Sequence, residues 1–151
     1  MSSRDQNKSG TIVNRIYFTN WNRTQDCSKL YEEWLGKEPL FNSLLLNGHL
    51  IVGKVEGTNE IIAAAQLILN EDNIRNRRWG LVENVYVLKE YRRKGIGSSL
   101  MRCVETQASS LGCDFIKLTS RKLEGIELYR FLGYEEGLSF RKELKWGGIQ
   151  E

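Results

Sequence analysis

The segment of this chain best suited to chemistry is Val87-Leu88-Lys89-Glu90-Tyr91-Arg92-Arg93-Lys94-Gly95-Ile96-Gly97-Ser98-Ser99. An apolar, strand-like run ends, three consecutive cations follow, and two glycines lead into a helical pattern that Ser98 or Ser99 would cap. Glycine lets backbone N–H groups approach a ligand with no Cβ in the way. The first N–H groups of a helix lack intrahelical acceptors and carry partial positive charge. Together these features make a cradle for phosphate. The helix end alone gives a nearby anion about 0.3–1 kcal/mol, and Arg92, Arg93 and Lys94 favour a ligand with several negative charges.

Two phosphate loops fail on spacing. A P-loop needs G-x-x-x-x-G-K-[ST], but Gly36-Lys37 and Gly53-Lys54 are followed by Glu38 and Val55. A dinucleotide turn needs G-x-G-x-x-G directly after the strand. Here Leu100 stands where the third glycine belongs, and the basic segment separates strand from glycine. What remains is R-x-x-G-x-G between a strand and a helix, a pattern that a plain basic turn capping a helix also satisfies.

The elements that must hold this turn follow from periodicity. Thr11 to Phe18 reads as a strand, and Thr24 to Leu35 as a helix closed by Gly36. Pro39 breaks the chain before a short apolar piece, Leu40 to Leu46, and Asn47-Gly48 signals a turn. His49–Val55 and Glu60–Leu69, separated by Glu56-Gly57-Thr58-Asn59, predict a hairpin. The polar stretch Asn70–Arg78 reads as a loop. Leu81–Leu88 resumes as a strand, with Leu81, Glu83, Val85 and Val87 on one face and Val82, Asn84 and Tyr86 on the other.

Ser98–Leu111 carries an apolar stripe of Leu100, Met101, Val104, Ala108 and Leu111 and predicts a helix ended by Gly112. Phe115–Leu118 is a short strand, and Glu124–Leu132 a helix stopped by Gly133. A last strand alternates at Leu138, Phe140, Leu144 and Trp146, interrupted by Lys142. The order predicts one mixed α/β domain over residues 11–146, with a polar leader at 1–10 and a tail at 147–151.

Composition sets the bounds. Lys plus Arg total 22 against 19 acidic residues, a net +3 that is too small by itself to argue for nucleic acid. No apolar stretch approaches the roughly 18 residues that span a bilayer, so no membrane partner is expected. Cys27, Cys103 and Cys113 have no Cys-x-x-Cys spacing and read as reduced thiols of a cytoplasmic protein. His49, the sole histidine, has no partner at ligand spacing, and no metal is expected.

On Arg92-x-x-Gly95-x-Gly97, the chain resembles the GNAT superfamily of GCN5-related N-acetyltransferases, whose signature for the coenzyme A pyrophosphate is [QR]-x-x-G-x-[GA]. Leu81-Val82-Glu83-Asn84-Val85-Tyr86-Val87 is similar to the family's fourth strand. Leu128-Tyr129-Arg130-Phe131-Leu132-Gly133-Tyr134 is similar to its F-Y-E-K-L-G-F signature. The resemblance covers roughly residues 11–145. It implies a mixed α+β fold with a mostly antiparallel sheet of about six strands flanked by helices, and acetyl-CoA as co-substrate.

It further implies that the pantetheine arm pairs with a diverging strand, where N–H groups around Val85, Tyr86 and Val87 polarise the thioester. Arg92, Arg93, Lys94, Gly95, Ile96, Gly97 and Ser98 would hold the diphosphate. Glu83 matches a glutamate that some members use as general base, though an exposed strand carboxylate reads equally as a solvated charge. Tyr129 matches the group that protonates the departing thiolate, though a helical tyrosine beside Phe131 and Leu132 also reads as core.

Two departures stand out. Lys122 and Gly125 occupy positions where relatives have asparagine and alanine, and the C-terminal part is short, with an open strand edge suited to a homodimer. The acceptor would be a small amine (polyamine, amino sugar or amino acid) or a peptide amine. Tyr31, Glu32, Glu33 and Trp34 suit a cationic acceptor. Arg75, Arg77, Arg78 and Trp79 suit an acidic one, and either cluster also reads as a solvated face. The rival readings are a non-catalytic acyl-CoA sensor or scaffold and a nucleic-acid module built on Arg75–Arg78.

Overall fold

The computed structural model describes residues 15–21, 25, 27–36, 48–120, 123–137 and 140–145. The expectations for the leader, residues 11–14, Thr24, Pro39, the Leu40–Leu46 piece, Lys122 and the tail lie outside them. Within them, six strands and three helices follow one another. The order is β1 (Ile16–Asn20), α1 (Ser28–Leu35), β2 (Gly48–Val55), β3 (Ile61–Asp72), β4 (Arg77–Val87), α2 (Ile96–Ser110), β5 (Phe115–Leu118), α3 (Leu123–Phe131) and β6 (Phe140–Glu143).

The strands form one sheet in chain order, antiparallel throughout except for the parallel pair β4–β5. A parallel pair requires a crossover, and α2 supplies it. The mixed α+β architecture and the mostly antiparallel six-stranded sheet match expectation.

β3 is the centre of the domain because Ile61 to Leu67 are buried on both faces. Ala63, Ala64 and Ala65 within that run keep the strand slim where helices cross it. On one face α2 packs its stripe of Leu100, Met101, Val104 and Ala108. On the other, α1 buries Leu30 and Tyr31 and ends at Gly36, whose φ of 75° is the left-handed value that glycine tolerates.

Two sequence expectations change. The polar stretch Asn70–Arg78 is not a loop but the tip of a long hairpin, paired Asn70↔Trp79, Glu71↔Arg78 and Asp72↔Arg77. A cross-strand ion pair and a side-chain-capped turn replace burial there. Arg78 Nε donates to Glu71 at 2.8 Å, and Asp72 Oδ1 accepts the amides of Ile74 and Arg75 at 3.1 and 3.2 Å. Nor does Lys142 interrupt the last strand. It pairs with Ile116 in register, and its Nζ donates to Glu105 at 3.1 Å and the Leu132 carbonyl at 2.7 Å. Tyr134 donates to the other Glu105 oxygen at 2.8 Å, so the charge beside the core is paired from two sides.

Candidate active site

The site begins with an irregularity in β4. Gln66 pairs with Glu83 and Ala64 with Tyr86, so two residues of β4, Asn84 and Val85, face the single residue Ala65. This is a β-bulge. Asn84 accommodates it with φ 58°, a left-handed value that asparagine reaches more readily than most residues. Its Nδ2 donates to Gln66 Oε1 at 2.8 Å.

The bulge overturns the simple alternation expected for this strand. Glu83 shares a face with Tyr86, not with Val85 and Val87; Val82 and Val87 lie on the opposite, α2-covered face. It also coincides with the end of β4–β5 pairing. The last pair is Val82↔Leu118, and β4 continues to Val87. Among the described residues, Glu83 to Val87 therefore present one edge to no strand. Because the Leu88 amide donates to Ile62 in β3 at 2.9 Å, alternation turns the Val87 amide and carbonyl to that open edge.

The open edge runs into the basic turn. A 3-10 turn, Lys89–Tyr91, leads to Arg93 and Gly95, both left-handed at φ 64° and 82°. The N-cap of α2 is Gly95, with no side-chain cap, so neither Ser98 nor Ser99 caps it. The first intrahelical bond, Ser99 N–H to Gly95 at 3.1 Å, leaves the amides of Ile96, Gly97 and Ser98 without intrahelical acceptors. These are the donors a diphosphate needs. Gly97 has a second reason to lack a Cβ: one built there would lie 3.3 Å from Leu128 of α3.

Arg92 does not project as a free charge. Its Nε donates to the Val87 carbonyl at 2.8 Å, and its guanidinium lies 4.9 Å from the Tyr86 ring centroid. It ties the turn to the strand end, while Arg93 and Lys94 stay exposed. Glu33 completes the brace, accepting from the Tyr86 hydroxyl at 2.8 Å and the Lys89 amide at 2.9 Å. Loss of solvation opposes its ionisation, but those two donors and the nearby Lys89 and Arg92 charges hold its carboxyl below the usual range. Trp34 stacks on Tyr86 at 5.1 Å. The α1 cluster is thus largely structural: Tyr31 is core, Trp34 and Glu33 brace β4, and Glu32 stays exposed.

Tyr129 is buried at 5% exposure, its ring 5.8 Å from those of Tyr134 and Phe140. Phe140 pairs with Leu118, which pairs with Val82. Tyr129 thus borders the face opposite Glu83, with the β4–β5 gap between them. Burial pushes its hydroxyl up to about 12, so it is protonated at neutral pH. No described residue accepts a hydrogen bond from it. Gly125 suits this packing, because a Cβ there would crowd the Ser120 hydroxyl and touch the Tyr129 ring at 3.6 Å. Glu83 itself is exposed.

Sequence reasoning missed the Glu33 brace and the Asn84 bulge. An asparagine inside an apolar strand was the available signal for the bulge; the brace joins residues more than fifty positions apart and left none.

The Acetyltransferase (GNAT) family model matches residues 12–134, and the chain belongs to that family. It is 36% identical over 98 residues to a Drosophila melanogaster protein named probable glucosamine 6-phosphate N-acetyltransferase, covering 62% of this chain and 44% of that protein. It is 28% identical over 122 residues to the Mus musculus thialysine N-epsilon-acetyltransferase, covering 76% of this chain and 71% of that protein. The chain therefore spans less than half of the fly relative. In fold it is similar to a predicted acetyltransferase from Clostridium acetobutylicum solved with acetyl-CoA, at a TM-score of 0.65 and 20% identity, covering 82% of this chain and 92% of that one.

Proposed function

We propose that this protein transfers an acetyl group from acetyl-CoA to a primary amine by direct attack within a ternary complex. The observation that carries the reading is the continuity of the open β4 edge with the amide-lined turn at Gly95–Ser98. The amides of Ile96, Gly97 and Ser98, flanked by Arg93 and Lys94, would hold the diphosphate. The edge at Val85–Val87 would pair with the pantetheine arm, and the Val87 amide would face the thioester oxygen. Donors preorganised towards a developing oxyanion contribute about 3–4 kcal/mol in measured cases.

The amine must be neutral to attack, and an alkylamine near pKa 10.4 is neutral about once in several thousand molecules at pH 7. Glu83 is the base for that proton, directly or through one water. As the C–N bond forms and the C–S bond breaks, Tyr129 donates its proton to the departing sulfur. The two groups border opposite faces of the gap, which suits an amine entering on one side and a thiol leaving on the other. Relatives named for amino-sugar and thialysine acetylation support a small amine as acceptor, with a peptide amine as the alternative.

The test is thiol release from acetyl-CoA over polyamines, amino sugars, amino acids and peptide N-termini. Release with any of them is expected. Coenzyme binding without release would instead favour a sensor or scaffold.

A further inference from the structure

A second concave site lies on the Glu83 face, towards the hairpin tip. Trp79 and Phe115 stack there with ring centroids 5.8 Å apart and planes 3° apart. Arg75, Arg77, Lys117 and Arg141 surround them in a groove of about 290 Å³. Register puts the groove and Glu83 on one face. Arg77, Trp79, Leu81 and Glu83 alternate along β4 with no shift before the bulge, Trp79 pairs with Phe115, and Leu81 pairs with Lys117. Lys117 in turn pairs with Arg141.

What distinguishes the groove is how its cations are held. Arg75 is neutralised by Asp72 at 2.9 Å, and Arg141 by Glu143. Among the described residues, Arg77 and Lys117 have no carboxylate partner. Aromatic faces position them instead: Arg77 lies 4.7 Å from the Phe115 centroid, and Lys117 4.9 Å from that of Trp79. A ring fixes a cation through its quadrupole without cancelling the charge, so two positive charges remain in a confined, aromatic-floored groove. Two such charges suit a single anionic group; they give no extended basic track for a nucleic acid.

From this we infer that the groove binds an anionic group of the acceptor, a phosphate or carboxylate, and so selects amines that carry one. The inference rests on the acetyl-transfer reading only for the position of the amine. At about 3.3 Å per residue, an amine at Glu83 meets the Lys117 level about 7 Å away and the Trp79 level about 13 Å away. The acceptor is therefore a short amine with its anion at that span. Lys117 and Arg77 are its binding residues.

A matched series tests this: 6-aminohexyl phosphate, 6-aminohexanoate and 6-aminohexanol, each added to the full chain with acetyl-CoA. The readouts are thiol release and the NMR shifts of the Lys117 side chain and Trp79 indole. Phosphate, carboxylate or both are expected to move those resonances and to outpace the alcohol in kcat/KM; which one does so names the anion. Lys117→Gln is expected to raise KM for the preferred anionic amine about tenfold, the scale of one charged hydrogen bond, with little change for the alcohol. Arg77→Gln is the second variant.

Equal response to 6-aminohexanol, or anion selectivity surviving both substitutions, would overturn the inference. So would a larger response to a short single-stranded oligonucleotide. If the alcohol is acetylated but no anion moves the resonances, only the anion site falls. If anions move them but no amine releases thiol, only the acetyl-transfer reading falls.

Discussion

The two halves of β4 do opposite things with one kind of backbone. From Trp79 to Val82 the strand has a partner along both edges, β3 on one side and β5 on the other. From Glu83 to Val87 only β3 remains among the described residues. The first half is a wall whose side chains carry its distinguishing chemistry, the cation–aromatic groove. The second half is an edge whose main chain carries it, with the Val87 amide turned outward and the turn at Gly95 beyond it. One inserted residue at Asn84 separates them. It reverses the alternation beyond it, so Tyr86 joins Glu83 on the α1 side and Val87 turns to the α2 side just where the edge opens. An open edge is ordinarily a liability for a sheet; here the α1 brace of Trp34, Glu33 and Tyr86 steadies the strand while leaving that edge available.

The largest expected effect lies across the gap from that edge. Tyr129→Phe should lower turnover about 10²–10⁴-fold, the usual range for a positioned acid or base, while the Kd for acetyl-CoA by calorimetry stays the same. The hydroxyl has no described partner to lose, so the melting temperature should hardly move. Unchanged turnover would return Tyr129 to the core and leave the second half of β4 without its acid. The alkaline limb gives a further check. Burial raises this phenol to about 12 when folded, against about 10 unfolded. The unfolded chain therefore loses this proton first. The stability linked to it is complete below pH 10 and drains away as pH rises towards 12. Urea midpoints across that range should fall less steeply for Tyr129→Phe than for the native chain.

The bulge can be attacked directly. Asn84→Val forces a β-branched residue to φ 58°, a strain of about 1–3 kcal/mol, and also removes the hydrogen bond to Gln66. Asn84→Gly keeps the conformation and loses the bond alone, typically about 1 kcal/mol. Urea unfolding should therefore rank valine well below glycine. Equal stabilities would mean that the left-handed residue does not hold the bulge, and the contrast between the halves would need another cause.

How much of this was readable beforehand depended on range. The Arg92–Gly97 turn was legible because strand end, cations, glycines and helix start are contiguous. The hairpin of β2 and β3 and the stripe of α2 were legible because burial writes itself as periodicity. The bulge was not, since two residues facing Ala65 is a property of two strands and not of one. Strict alternation consequently grouped Glu83 with Val87 and apart from Tyr86, the reverse of the register. The Asn70–Arg78 hairpin was hidden because one cross-strand ion pair and a capped turn, not apolar residues, hold its tip. Arg92 was recognised as important for its charge, whereas its bond to Val87 depends on how the chain doubles back over five residues.

That last distinction gives the smallest of the expected effects and sharpens the account of the second half. If Arg92 contributes charge alone, Arg92→Lys should leave coenzyme affinity intact. If it ties the turn to the strand end, lysine fails, since a single ammonium on a flexible stem lacks the planar fork. It cannot both reach the Val87 carbonyl and lie flat over Tyr86. We expect the Kd for acetyl-CoA to rise about fivefold in Arg92→Lys, roughly 1 kcal/mol and the size of one net hydrogen bond. Lys94→Gln, which removes an exposed charge and its 3.3 Å bond to the Glu90 carbonyl but no tie to the strand, should show a smaller rise that vanishes at high salt. The Arg92→Lys defect should persist there, because a lost tether is not screened. Identical salt dependence for the two variants would reduce Arg92 to one more cation beside the diphosphate.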